Sequence, residues 1–251
     1  MKKLFIIISI IALQHIPLKA VSDSLYNEGN RLYQQGLYEE SIDKYKSLVD
    51  SGYESANLYY NLGNAYFRSN KLGKARLYYE KALKIFPADE DALANNTYLK
   101  SLLADRFEEV PMVFYKKWFK SLILSYSSNQ WAYLSVFTFL MSVISALVYF
   151  FFRRAPVRKA GFYSAAVLLF ISVLSFGASW KQYRLIRYPD SAIVIDLSVN
   201  VNSSPRETGT GLFILHEGAK VWLEDKAGNW QEIRLSDGRK GWVPEESIEV
   251  I

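Results

Sequence analysis

The spacing of apolar and polar positions changes character three times along the chain. From Leu25 to about Arg106, apolar and small residues return every three or four positions, which predicts amphipathic helices. Trp131 to Phe152 and Ala160 to Trp180 are then two runs with no charge at all, each long enough as a helix to cross a bilayer core. From Asp190 onward, short β-rich stretches alternate with turn signals at Gly209-Thr-Gly211, Glu217-Gly218, Gly228-Asn229 and Asp237-Gly238. Some five short strands in about 60 residues predict a small barrel. A further apolar run, Leu4 to Leu13, lies between Lys2-Lys3 and Pro17; residues 1–20 read as a secretory signal or, uncleaved, as an anchor.

The helical part repeats itself. LYNEGNRLYQQGLYEESIDKYKSLV and YYNLGNAYFRSNKLGKARLYYEKAL register at a spacing of 34, pairing Gly29 with Gly63, Asn30 with Asn64, Gly36 with Asn70, Ser41 with Ala75 and Tyr45 with Tyr79. Small residues let antiparallel helices approach, and the two tyrosines fill the space between them. Pro87 closes the second unit, and a further helix to about Arg106 covers the end of the stack. These units resemble the tetratricopeptide repeat, most fully at Leu62, Gly63, Tyr66, Ala75, Tyr79, Ala82 and Pro87. In such a repeat the first helix of each pair lines a concave face. The register puts Tyr26, Asn30, Tyr33 and Gln34 there from one unit, and Tyr60, Asn64, Phe67 and Arg68 from the next. Exposed aromatics beside amides suit a partner peptide or helix, although the asparagines are also common repeat residues and Tyr60 also suits packing.

Charge separates the segments further. The chain has 251 residues and a formal net charge of +5. Residues 107–189 carry ten basic and two acidic groups, whereas 190–251 carry six basic and eleven acidic ones. The positive excess therefore borders the apolar runs, where a membrane protein keeps it, and nucleic acid is not an expected partner. Arg153, Arg154, Arg158 and Lys159 crowd a seven-residue connection, 153–159, which the positive-inside rule assigns to the cytoplasm. Span parity then puts 21–130 and 181–251 outside the cytoplasmic membrane. Segment 107–130 is a juxtamembrane linker; its part Phe114 to Ser125 fits either a helix along the membrane surface or an ordinary amphipathic linker helix.

Candidate chemistry is sparse. There is no cysteine, and the two histidines, His15 and His216, lie in unrelated segments, so thiol catalysis, zinc ribbons and a Ser-His-Asp triad are not expected. Neither Glu108-Glu109 nor Glu245-Glu246 makes a credible acid/base pair, no cofactor motif is present, and the spans lack ionisable residues.

The C-terminal segment, 190–251, resembles the bacterial SH3 domain through VNVNSSP, LHEGAKVWL and GNWQEIRLSDGRKGWV. That resemblance implies binding of cell-wall peptides or protein docking, with Trp222, Trp230 and Trp242 as candidate contacts and Asn202 where the family usually has Arg. In so small a barrel at least one tryptophan is expected in the core, Trp242 first, and the segment is expected to fold without the rest of the chain. His216 reads as a turn residue.

The whole order, with a signal (1–20), repeats and cap (21–106), linker (107–130), spans at 131–152 and 160–180, and an SH3-like barrel (190–251), resembles the BatE family of the Bacteroides aerotolerance operon. The resemblance implies a bacterial inner-membrane protein with both folded domains periplasmic. Its partners would be other Bat membrane proteins, some with von Willebrand A domains, together with the lipid bilayer and, through the barrel, peptidoglycan. Two readings follow: a non-enzymatic scaffold acting through the repeats, or a cell-wall sensor or tether acting through the barrel.

Overall fold

Five helices, α1 (23–34), α2 (Tyr38–Asp50), α3 (Ala56–Arg68), α4 (Leu72–Ile85) and α5 (Glu90–Leu102), open the structure, a computed structural model that describes residues 23–107, 113–188 and 190–251. The signal expected at 1–20 and the pair Glu108-Glu109 lie outside the described residues. Two left-handed residues 34 positions apart, Gly36 (φ 80°) and Asn70 (φ 59°), end α1 and α3 in the same way. At each, an amide of the turn bonds back into the last helical turn, Leu37 N to Leu32 O at 3.0 Å and Lys71 N to Tyr66 O at 3.0 Å. Ser55 caps α3 by accepting from Leu58 N at 3.1 Å.

The glycines at the helix crossings are there because nothing larger fits. A Cβ on Gly29 would lie 2.5 Å from the Tyr45 ring, and one on Gly63 would lie 2.7 Å from the Tyr79 ring. Ser41 adds a bond from its hydroxyl to Gly29 O at 2.9 Å. Tyr45, Leu48, Leu58, Leu62, Leu77 and Tyr79 are fully buried between the helices.

The C-terminal segment forms one antiparallel seven-stranded sheet, in the order β3-β2-β6-β5-β4-β1-β7. Its strands are β1 (Ser191–Val194), β2 (Ser198–Asn202), β3 (Gly211–His216), β4 (Lys220–Ala227), β5 (Trp230–Arg234), β6 (Lys240–Pro244) and β7 (Ile248–Val250). Among the described residues no pairing joins β3 to β7. One face buries Val194, Val201, Leu215, Val221, Ile233 and Val243, with Phe107 and Phe213 at its margin.

Trp242 is not in that core. Strand alternation turns Gly241 and Val243 inward and leaves Trp242 half-buried on the opposite face. Trp222 and Trp230 are half-buried on the same outer face, because cross-strand partners share a side: Trp222 pairs with Arg234, Trp230 with Pro244, and Trp242 with Glu232. The core is filled by β-branched and leucine side chains, and a tryptophan is not required there. Asn202 is buried and donates to Arg206 O at 3.0 Å, which makes it part of the turn after β2.

The sheet does not stand apart from the repeats. Residues 23–83, 90–107 and 190–251 belong to one compact unit, and 84–89 and 113–188 to a second. Within the first, the turn between β3 and β4 meets α4 and the end of α5. Gly73 N, in the first turn of α4, donates to the Glu217 carboxylate at 3.1 Å, so a residue 144 positions away caps this helix. Arg76 donates to Gly218 O, Lys74 pairs with Glu249, and Asp105 receives the His216 amide at 2.7 Å and faces its Nδ1 at 3.0 Å. His216 is thus an anchoring residue as well as the end of a strand.

At the centre of this contact lies Glu80. Its carboxylate accepts from Lys220 Nζ at 2.6 Å and Asn96 Nδ2 at 2.9 Å, with Lys100 Nζ at 3.8 Å. Burial pushes this carboxyl up, but Lys220, then Lys100, and the hydrogen bonds from Lys220 and Asn96 outweigh it and hold it at about 2.

The second unit holds α6 (Phe114–Leu124), α7 (Ser128–Phe151) and α8 (Ala155–Arg187). Both α7 and α8 are long and apolar enough to cross a membrane, and only 17% of the most apolar window of each is buried. A core helix of a water-soluble protein would be mostly covered; here Phe137, Phe150, Phe170 and Phe176 all face outward.

The two long helices pack through hydroxyls at steps of seven. Ser128 and Ser179 each donate to the other's carbonyl, at 3.1 and 2.9 Å. Ser135 and Ser172 do the same at 3.0 and 2.9 Å, and Ser142 donates to Ala165 O at 2.8 Å. Nearer the connection, Gly161 lets the helices close up, since a Cβ there would lie 2.9 Å from Ser145 O. The connection itself is only 152–154, shorter than the 153–159 loop expected, because Pro156 fits the first turn of a helix and lets α8 begin at Ala155. Arg153 and Arg154 are in the connection, whereas Arg158 and Lys159 are helical, with Arg158 5.0 Å above the Tyr149 ring.

Candidate partner-binding groove

A ladder of asparagines and tyrosines runs along α1, α3 and α5 and repeats with the period of the sequence. Tyr45 OH donates to Asn30 Oδ1 at 2.6 Å, and Asn61 Nδ2 donates to that same oxygen at 3.0 Å and to Tyr26 OH at 2.9 Å. One repeat later, Tyr79 OH donates to Asn64 Oδ1 at 2.6 Å, and Asn95 Nδ2 donates to it at 3.0 Å and to Tyr60 OH at 3.1 Å. Burial pushes the Tyr45 hydroxyl up to about 12 and raises Tyr79 as well, so both remain neutral donors across the physiological range.

Two open clefts border this ladder. One, of about 350 Å³, is lined by Asn30, Tyr33, Gln34, Tyr45, Asn61 and Asn64. The other, of about 280 Å³, is lined by Tyr33, Asn64, Phe67, Arg68, Tyr79, Asn95 and Tyr98. They share Tyr33 and Asn64 and so make one groove over three helices. Phe67 meets Tyr98 edge-on with ring centres 6.0 Å apart, and the exposed Arg68 guanidinium lies 5.0 Å over the Tyr38 ring. The floor is thus fixed by amide–hydroxyl bonds, while the rim offers aromatic edges and one cation.

Residues 26–90 match a tetratricopeptide-repeat family. The match covers the first four helices and leaves α5 to the structure, which shows it lining the groove like a further first helix. Among curated proteins the chain is similar to protein O-mannosyl-transferase TMTC1 of Homo sapiens, 30% identical over 92 residues, which is 37% of this chain and 10% of that protein. It is also similar to protein O-mannosyl-transferase TMTC2 of Homo sapiens, 32% identical over 106 residues, 41% of this chain and 12% of that protein. The chain therefore spans about a tenth of the length of these relatives.

Of the residues singled out in the sequence, Asn30, Tyr33, Asn64, Phe67 and Arg68 line the repeat groove, and Tyr26 and Tyr60 hold its floor as hydrogen-bond acceptors. Asn64 has a structural duty too, because its carbonyl oxygen is taken by Tyr79 and Asn95. Trp222 and Trp230 do not line these clefts; they sit on the outer sheet face, where Arg234 lies 5.7 Å over the Trp222 ring and pairs with Glu224. Asn61, Asn95 and Tyr98 escaped the sequence reading. A signal for two of them is present: Asn27, Asn61 and Asn95 recur at intervals of 34.

Proposed function

We propose that the chain is a membrane-anchored, non-enzymatic scaffold that holds partner proteins in the repeat groove. The observation that supports this reading is the groove itself: a rigid hydrogen-bonded floor with an exposed aromatic and cationic rim, the combination that concentrates binding energy in protein interfaces. A partner segment would lay apolar side chains against Phe67 and Tyr98 and an acidic or carboxylate group on Arg68. The full-length resemblance to the BatE family suggests other Bat membrane proteins, including those with von Willebrand A domains, as occupants, and a role in aerotolerance or stress response. The four cations at 153–159 support an orientation with that end of the hairpin in the cytoplasm and the repeats and sheet in the periplasm.

Because Asn64 also supports the floor, the cleaner test alters the rim. Arg68→Ala combined with Tyr98→Ala should weaken co-purification of membrane partners while helical circular dichroism stays unchanged. Undiminished partner recovery would remove the groove as the recognition site.

A second reading rests on the outer sheet face. Trp222, Trp230 and Trp242, together with Arg234 and Lys240 paired to Glu224, form an aromatic surface with charges of both signs on what we read as an SH3-like domain, and this suits a peptidoglycan peptide. Binding of the full chain to purified sacculi, lost on Trp222→Ala with Trp230→Ala and retained in the groove variant, would favour this reading.

A further inference from the structure

Helix α6 turns its apolar half outward. At 100° per residue, Phe114, Tyr115, Trp118, Phe119 and Leu122 fall in one half of the helix, while positions 116, 117, 120 and 121 fall in the other. Phe114 is 83% exposed and Trp118 58%, and with Tyr115, Phe119 and Leu122, exposed as well, they make an apolar patch on one side of the helix. Residues 113–130 contain three lysines and no acidic residue.

The position of the helix end says what covers this half. Trp131 Nε1 donates to Ile123 O at 2.9 Å, and Gln182 Nε2 donates to Ile123 O and, at 2.7 Å, to Tyr126 O. Trp131 opens the uncharged run of α7, and Gln182 lies two residues beyond Trp180, which closes the uncharged run of α8. Gln182 is itself buried, at 3% exposure, so these bonds form a built joint. On the proposed membrane-spanning reading of the hairpin, the joint stands at the ends of the two uncharged runs, beside Trp131, Trp180 and Tyr183, side chains suited to an aromatic belt. The C-terminal end of α6, and with it the end of its exposed apolar half, is therefore fixed at that level.

We propose that α6 lies in the plane of the bilayer, its aromatic half sunk among the upper acyl chains and its lysine-bearing half turned to anionic lipid headgroups. The hairpin and α6 then form an anchor with one arm along the surface, which fixes the hairpin's depth.

The absence of cysteine makes the test direct. Full-length Phe114→Cys, Trp118→Cys, Leu122→Cys, Lys117→Cys and Ser121→Cys variants are spin-labelled and reconstituted into phosphatidylcholine vesicles containing a quarter phosphatidylglycerol. Labels at 114, 118 and 122 should collide with oxygen and lie about 5–10 Å below the phosphates, whereas those at 117 and 121 should collide with a water-soluble nickel chelate. Nickel access at all five positions would place the helix in water, and shielding of 114, 118 and 122 from both reagents would place it against protein; either overturns the proposal. In pure phosphatidylcholine the 118 label should move toward water, and Lys116→Gln, Lys117→Gln and Lys120→Gln together should abolish that lipid dependence. Equal depth in both lipids would overturn the headgroup assignment.

Discussion

Replacing Lys220 by Met isolates the contact between the repeats and the sheet. Glu80 is held at about 2 against an ordinary 4.5, and its side chain is only 12% exposed. At about 1.4 kcal/mol per pKa unit, the folded unit favours the carboxylate by roughly 3 kcal/mol. A depressed carboxyl stabilises above its unfolded value, so this contribution is complete above about pH 4.5 and disappears as pH falls through about 2. Lys220, at 2.6 Å, is the leading favourable influence, with Lys100 more distant at 3.8 Å. Lys220→Met should therefore cost about 2–3 kcal/mol at neutral pH, because a buried charge loses its closest partner. Glu80→Gln should cost less, since Lys220 is 26% exposed and can turn to solvent. In the double variant the two losses should fall short of their sum by about 1–2 kcal/mol. Denaturant unfolding of the full chain in detergent, with hydrogen exchange read on peptides from α4 and from 216–223, measures both the total and its location. Strict additivity, or a Lys220→Met cost below about 0.5 kcal/mol, would refute the account of this carboxylate.

Gly63→Ala should destabilise the repeats by about 1–3 kcal/mol, read by thermal circular dichroism, because the added methyl meets the Tyr79 ring at 2.7 Å. Ile233→Ala, at a fully buried position, should cost about 2–5 kcal/mol and exceed Trp242→Ala, which removes a half-buried ring; the reverse order in denaturant unfolding would place Trp242 in the core. Ser135→Ala with Ser172→Ala should loosen the hairpin by about 1 kcal/mol, seen as a lower denaturation midpoint in detergent, while Ser135→Leu should disrupt it further by forcing the helices apart.

Periodic features were the most legible in the sequence. The spacing of 34 placed Gly29, Gly63, Tyr45 and Tyr79, since each position recurs with the same neighbour. Charge-free runs marked the two long helices, because hydropathy reports on the surrounding solvent. The serine seam at 128, 135, 142, 172 and 179 was also written at a fixed step, but serine carries no hydropathy signal strong enough to draw the eye inside an apolar run. Trp242 was misplaced because Trp242-Val243 offers two adjacent apolar residues, and only the register of β5 against β6 decides which one turns inward. Contacts such as Glu80 with Lys220 were not legible, because nothing in either local pattern points to a partner 140 residues away.

The bond from Gly73 to Glu217 gives the chain an order of completion. Ribosomes deliver α4 long before Glu217, and both long apolar helices are made in between. Until residues 190–251 have emerged and folded, the start of α4 lacks its carboxylate cap and Glu80 lacks Lys220. The contact between the repeats and the sheet is therefore completed last although its helical half is synthesised first, and a chain truncated after the second long helix would carry an α4 without these two partners.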